Sequence, residues 1–98
     1  MYVVRDIFNL KYGHFRPVKA LMEEAKKNGM APDAQKSRML SDFTGGAYRL
    51  IMELNFETLA DFEKEMAKDM SKPEFQEWYK KFTEHVDSGY REILKVVI

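Results

Sequence analysis

Asp6, His85, Tyr48, Trp78 and Tyr79 are the residues of this sequence whose types and placement could do chemistry. Asp6 lies in a run that alternates as a strand, on the same side as Tyr2, Val4, Phe8 and Leu10. A carboxylate on an otherwise apolar side must be desolvated, paired or set beside a cavity. Desolvation would strengthen it as a general base for proton abstraction. The structural alternative is an acceptor for a tyrosine hydroxyl or a backbone amide. His85 follows Phe82 by three residues on the flank of a helical stripe, where it would act as acid/base partner to Asp6 or sit half-exposed at the edge of the core. Tyr48, Trp78 and Tyr79 would wall a ligand site, although aromatic residues at helical spacing also build cores.

Other chemistries find little purchase. His14 beside Gly13 reads as a loop or helix-start residue. The two histidines are far apart in sequence, form no i, i+4 pair, and would converge with Asp6 only by tertiary accident, so no metal site is expected. Seven methionines suit a soft, adaptable pocket or the gaps of a small core. No glycine-rich phosphate loop, serine-nucleophile elbow or basic aromatic platform is present, and no cofactor is expected.

The element that must position these groups is the stretch 47–56, AYRLIMELNF. Tyr48, Leu50, Met52, Leu54 and Phe56 alternate with the mixed set Ala47, Arg49, Ile51, Glu53 and Asn55. Gly45 and Gly46 before it, and Thr58 after it, mark its ends. Residues 1–12 form a similar strand, with Val3, Arg5, Ile7, Asn9 and Lys11 on its second side. Residues 36–44 make a shorter, more polar strand suited to a sheet edge, joined to 47–56 as a hairpin.

Val18, Leu21, Met22 and Ala25 step at helical spacing through 14–28, with Pro17 in the first turn, Lys26 and Lys27 in the last, and Gly29 beyond. Thr58 with Asp61 resembles a capping box ahead of Leu59, Phe62, Met66 and Met70. Ser71, Pro73 and Glu74 read as a second cap, so this helical region should break in two near 70–73, its later stripe being Phe75, Trp78, Tyr79, Phe82 and Val86. Ser88 and Gly89 would stop that helix. Residues 90–98 read as the last strand, Tyr90, Leu94, Val96 and Ile98 alternating with Arg91, Ile93, Lys95 and Val97.

The order βαββαβ predicts an α+β fold, a ferredoxin-like antiparallel four-stranded sheet with helices on one face, spanning 1–98 as one domain. Its other face would carry Val3, Ile7, Ile51, Ile93 and Val97 beside Arg5, Arg49, Glu53, Arg91 and Lys95. A twofold homodimer packing sheet against sheet would bury the apolar members and could pair Glu53 with one of these cations.

Composition bounds the partners. At 98 residues, 45% hydrophobic and 13% aromatic, the chain should fold around one core and gain from self-association. Sixteen basic and sixteen acidic residues balance to +0, leaving no excess positive field for nucleic acid. No apolar run approaches the roughly 20 residues of a membrane span. Arg5 and Asp6 interrupt the only early apolar stretch, so no signal peptide is expected, and with no cysteine the expected location is cytoplasmic.

The segments Leu10, Lys11, Tyr12, Gly13, His14, Phe15 and Lys72, Pro73, Glu74, Phe75, Gln76, Glu77, Trp78 resemble the strand–glycine–helix junction and the second-helix segment of the dimeric α+β barrel superfamily. That superfamily includes NIPSNAP-like proteins, antibiotic-biosynthesis-type monooxygenases and haem-degrading relatives. The resemblance implies a dimeric α+β barrel with a pocket between helices and sheet. The haem-degrading branch uses an asparagine, a tryptophan and a histidine where alignment on Gly13 and Pro73 places Asp6, Asp69 and Tyr79, which argues against that reaction here. The reading that follows is a small NIPSNAP-like homodimer binding a small apolar or aromatic ligand. The alternative is a cofactor-free monooxygenase, or an isomerase or cyclase, acting on a small aromatic or polyketide-like substrate with Asp6 as base.

Overall fold

The computed structural model describes residues 1–33, 35–45 and 48–98. Gly46 and Ala47, assigned above to the hairpin turn and the start of its second strand, lie outside the described residues. The elements run β1 (Tyr2–Leu10), α1 (Phe15–Lys27), β2 (Ser37–Ser41), β3 (Arg49–Phe56), α2 (Leu59–Met70), α3 (Pro73–Thr83) and β4 (Val86–Lys95). The sheet is antiparallel throughout in the order β2-β3-β1-β4. This is the expected α+β, ferredoxin-like arrangement, with the polar β2 at an edge and the second helical region in two pieces.

Residues directly opposite on neighbouring strands share a face, so the register fixes which side chains meet the helices. Val4, Asp6, Phe8 and Leu10 fall on the side of Leu54, Met52 and Leu50. There Leu10 and Leu50 join Val18 and Ala25 of α1 and Trp78 and Phe82 of α3 in the buried core. Val18 is fully enclosed and Phe82 is 1% exposed; burying side chains of this size contributes roughly 1.5–3 kcal/mol each. Phe8 meets Phe82 edge-to-face at 4.9 Å.

Local chemistry sets the helix boundaries. The Thr58 hydroxyl accepts the Asp61 amide at 3.1 Å, capping α2. Pro73 opens α3, but the residue before it in capping position is Lys72, which makes no side-chain cap. Ser71, read above as that cap, closes α2 instead and donates its hydroxyl to the Lys68 carbonyl at 2.7 Å. Met70 and Pro73 leave room for only one of the two roles, and the chain uses Ser71 to satisfy a carbonyl.

β4 departs most from the sequence expectation. It begins at Val86, not Tyr90, and takes in Ser88 and Gly89. A side chain on Gly89 would meet the Phe8 ring at 3.1 Å and the Ile7 carbonyl at 3.2 Å, so glycine here admits Phe8 and does not end an element. The faces of β4 are also reversed. Pairing of Ile7 with Tyr90 and of Val3 with Leu94 places Tyr90, Glu92 and Leu94 on the open face, and turns Arg91 and Ile93 toward the helices beside Asp6 and Val4. Both alternating sets of β4 carry apolar residues, so periodicity alone could not choose between them. The observed register places Arg91 where it pairs with Asp6.

The open face is banded. Leu40, Ile51, Ile7 and Tyr90 stand opposite one another across all four strands, forming one apolar row. The adjacent row is Arg38, Glu53, Arg5 and Glu92, alternating in sign. Glu53 is 6% exposed and accepts from Arg5 Nε at 2.8 Å and from Arg38 Nη2 at 2.8 Å. Within the chain Glu53 is thus already paired, with Arg5 being one of the cations expected on this face. Asp42 and Arg49 pin the β2–β3 hairpin in the same way, Arg49 Nη2 lying 2.8 Å from Asp42 Oδ1.

Candidate functional site

A groove of about 450 Å³ runs between α1 and the β2–β3 hairpin on the helix side of the sheet. Val18 and Met22 of α1 form one wall, and Met39, Leu50, Met52 and Leu54 form the other. Met39 and Met52 are directly opposed in the β2–β3 register. Lys19, Glu23 and Lys26 stand at the rim, and Ala31 and Pro32 close one end. A mostly apolar hollow of this size with charges at its mouth is within the range that takes small molecules, roughly 300–1,000 Å³. Methionine thioethers let such walls adapt to a flat or branched guest.

Asp6 lies elsewhere, between the sheet and α2. Its Oδ1 is 2.5 Å from Arg91 Nε, and its Oδ2 accepts from Arg91 Nη2 at 3.3 Å. Arg91 in turn lies 5.1 Å from the centre of the Phe62 ring, with Nη2 3.9 Å from Met66 Sδ. A two-point carboxylate–guanidinium fork of this kind takes one lone pair of each carboxylate oxygen and holds the side chain against Arg91.

His85 is not brought to Asp6. Its Nδ1 faces Nδ1 of His14 at 2.9 Å, the rings being 5.2 Å apart and inclined by 58°. Sequence spacing gave no sign of this meeting, since it joins the β1–α1 junction to the α3–β4 junction across 71 positions.

Trp78 is core. Its indole N–H donates to the Leu21 carbonyl at 2.8 Å, and its ring stacks on Phe82 at 5.4 Å with planes 8° apart. Tyr79 borders a second, smaller hollow of about 300 Å³ between α3 and β4, with Phe8, Thr83 and Val86. Tyr48 enters β3 with φ of 61°, a left-handed backbone uncommon outside glycine. Its carbonyl accepts the Leu10 amide at 2.9 Å and its ring meets Tyr12 edge-to-face at 4.9 Å. None of these three aromatic residues lines the α1–hairpin groove. A pocket between helices and sheet was expected, but its lining was missed in the sequence because its best signal, three methionines, is also the signature of core filling; pairing 36–44 with 47–56 in register would have exposed Met39 opposite Met52.

Among the carboxylates, Glu53 is held below the usual range, first by the Arg5 hydrogen bond and further by Arg38, against burial that pushes the other way. Asp69 on α2 is raised, chiefly by partial burial and then by neighbouring Glu65. Among the described residues no helix is long and apolar enough to cross a membrane.

No protein-family model and no curated protein matches the sequence. The fold, however, has clear neighbours among solved structures. A NIPSNAP family protein from Agrobacterium tumefaciens superposes with a TM-score of 0.85 at 17% identity, covering 96% of this chain and 90% of its own. An uncharacterized NIPSNAP-like domain protein from Burkholderia xenovorans gives 0.86 at 18% identity, covering 98% and 84%. An antibiotic biosynthesis monooxygenase gives 0.72 at 14% identity, with 100% of both chains covered. At these identities the likeness establishes a shared fold.

Proposed function

We propose that this chain is a small homodimeric α+β barrel protein of NIPSNAP-like type that binds a small apolar or aromatic molecule in the groove between α1 and the β2–β3 hairpin. The observation that carries the reading is the groove itself, about 450 Å³ with Met22, Met39 and Met52 on its walls. The homodimer draws its support from the apolar row Leu40–Ile51–Ile7–Tyr90, in which Leu40 and Tyr90 are 37% and 54% exposed. A second copy related by a twofold axis would lay the same row against itself. Glu53 in the neighbouring charge row is already paired with Arg5 and Arg38 within the chain, so that packing would not strand it.

The alternative, a cofactor-free monooxygenase or an isomerase or cyclase using Asp6, rests on the fold likeness to an antibiotic biosynthesis monooxygenase. The fork between Asp6 and Arg91, and the place of Asp6 outside the groove lining, both weigh against it.

The groove reading is tested by thermal unfolding with a saturating small aromatic, 1-naphthol, on the wild type and on Met39→Trp, where an indole fills the opening. Binding to the native state alone raises the melting temperature. The expected result is a rise in the wild type that disappears in Met39→Trp. An equal rise in both proteins, or none in the wild type, overturns it.

A further inference from the structure

We infer that His14 and His85 form a two-imidazole chelate for a late first-row divalent ion, with Cu(II) the preferred guest. The two Nδ1 atoms are 2.9 Å apart. Nitrogens each about 2.05 Å from one ion stand about 2.9 Å apart at a right angle and about 3.3 Å apart at the tetrahedral angle. The observed spacing is that of an N–H···N hydrogen bond and leaves both nitrogens within reach of one ion of either geometry; the preference for Cu(II) follows from the affinity order of imidazole sites, in which Cu(II) exceeds Ni(II) and Zn(II).

Backbone hydrogen bonds hold the two residues' main chains next to each other. The His14 amide donates to the Lys11 carbonyl at 3.0 Å, and the His14 carbonyl accepts from the Val18 amide at 3.3 Å. The His85 amide donates to the Phe82 carbonyl at 3.0 Å, and the His85 carbonyl accepts from the Lys11 amide at 2.9 Å, so one residue, Lys11, bonds to both histidines. Both histidines are only partly buried, so solvent reaches the pair.

In the neutral pair one Nδ1 carries the shared proton and the other accepts it. Metal binding moves that ring to its Nε2–H tautomer, freeing both Nδ1 lone pairs with no net gain or loss of protons. Rotation about each soft Cβ–ring torsion, by roughly 45° at each nitrogen, then turns the lone pairs from each other onto a common point. Among the described residues no group of three or more His, Cys, Asp or Glu is placed to hold an ion, so the remaining positions are filled by water and the ion is exchangeable.

The test is isothermal titration of the tag-free chain with CuCl₂, NiCl₂ and ZnCl₂ in a non-coordinating buffer, repeated on His14→Phe, His85→Phe and the double variant. Phenylalanine preserves ring packing, and circular dichroism checks the fold. The chelate predicts one ion per chain at this site, with Cu(II) tightest. Since a second tethered ligand commonly adds a factor of about 10²–10⁴, either single variant should lose at least about 10²-fold in affinity, and the double variant should lose less than the two single losses added together. Independent, additive losses in the single variants, or Cu(II) binding unchanged in either, would overturn the assignment. If a phenylalanine variant fails to fold, His14→Ala and His85→Ala read the same comparison. The pair lies outside the α1–hairpin groove, so this result stands or falls apart from the ligand-binding reading.

Discussion

Arg91 on β4 and Asp6 on β1 are direct register partners, and their side chains lock as a fork on the helix side of the sheet, beneath Phe62 and Met66 of α2. The pair accompanies the inward facing of Arg91 in the last strand. Asp6→Asn should destabilise the fold by about 1–2 kcal/mol, the lower part of the range for a hydrogen bond to a charged group, because Arg91 is 38% exposed. A double-mutant cycle with Arg91→Met, read by urea unfolding, should return a coupling energy of similar size. Additive single-variant effects would mean that the two side chains are not coupled.

Glu53 sets an acid limit on stability. Its folded value lies below the ordinary glutamate value of 4.5 because of Arg5 and Arg38. A depressed carboxylate contributes stability that is fully present above its unfolded value and lost as pH falls through its folded one. Wild-type stability should therefore decline below pH 4.5 more steeply than that of Glu53→Gln. At neutral pH the variant should be less stable by about 1–3 kcal/mol. Parallel pH profiles in denaturant unfolding would contradict the pairing.

Trp78 ties α3 to α1 through the Leu21 carbonyl and fills the core against Phe82. Trp78→Phe removes the donor and part of the ring, and should cost about 1.5–3 kcal/mol. Its effect on 1-naphthol affinity should be small once the protein is folded, since Trp78 is not a groove wall. Loss of affinity at unchanged stability would return Trp78 to the role of ligand wall.

The apolar row predicts self-association. Sedimentation equilibrium at micromolar concentration should give twice the 11.6 kDa of one chain. Leu40→Glu and Tyr90→Glu, both at exposed positions of the row, should shift it to one chain without unfolding it. A wild type that sediments as a lone chain would remove the sheet face as an interface.

What could be read in advance followed from how unequal the alternatives were. For β1 one alternating set was strongly apolar apart from Asp6, so its facing was legible. The capping chemistry of Thr58 and the first-turn Pro73 marked where the second helical region starts and breaks. For the last strand, Tyr90 and Leu94 against Ile93 and Val97 left the two faces nearly balanced, and the pairing of Arg91 with Asp6 across the finished sheet is a long-range contact that periodicity does not record. The meeting of His14 with His85 depends on two loops brought together by the finished sheet, which no local spacing records. The groove was hidden for a similar reason: Met22, Met39 and Met52 become neighbours only once α1 is laid across the hairpin.

That neighbourhood gives the most direct measurement. With ¹³C-labelled methionine methyl groups, titration with 1-naphthol should move the Met22, Met39 and Met52 resonances together along one saturable curve while Met66 and Met70 on α2 stay in place. Shifts confined to the α2 methionines, or no saturable shift in the three groove methyls, would contradict a ligand site between α1 and the β2–β3 hairpin.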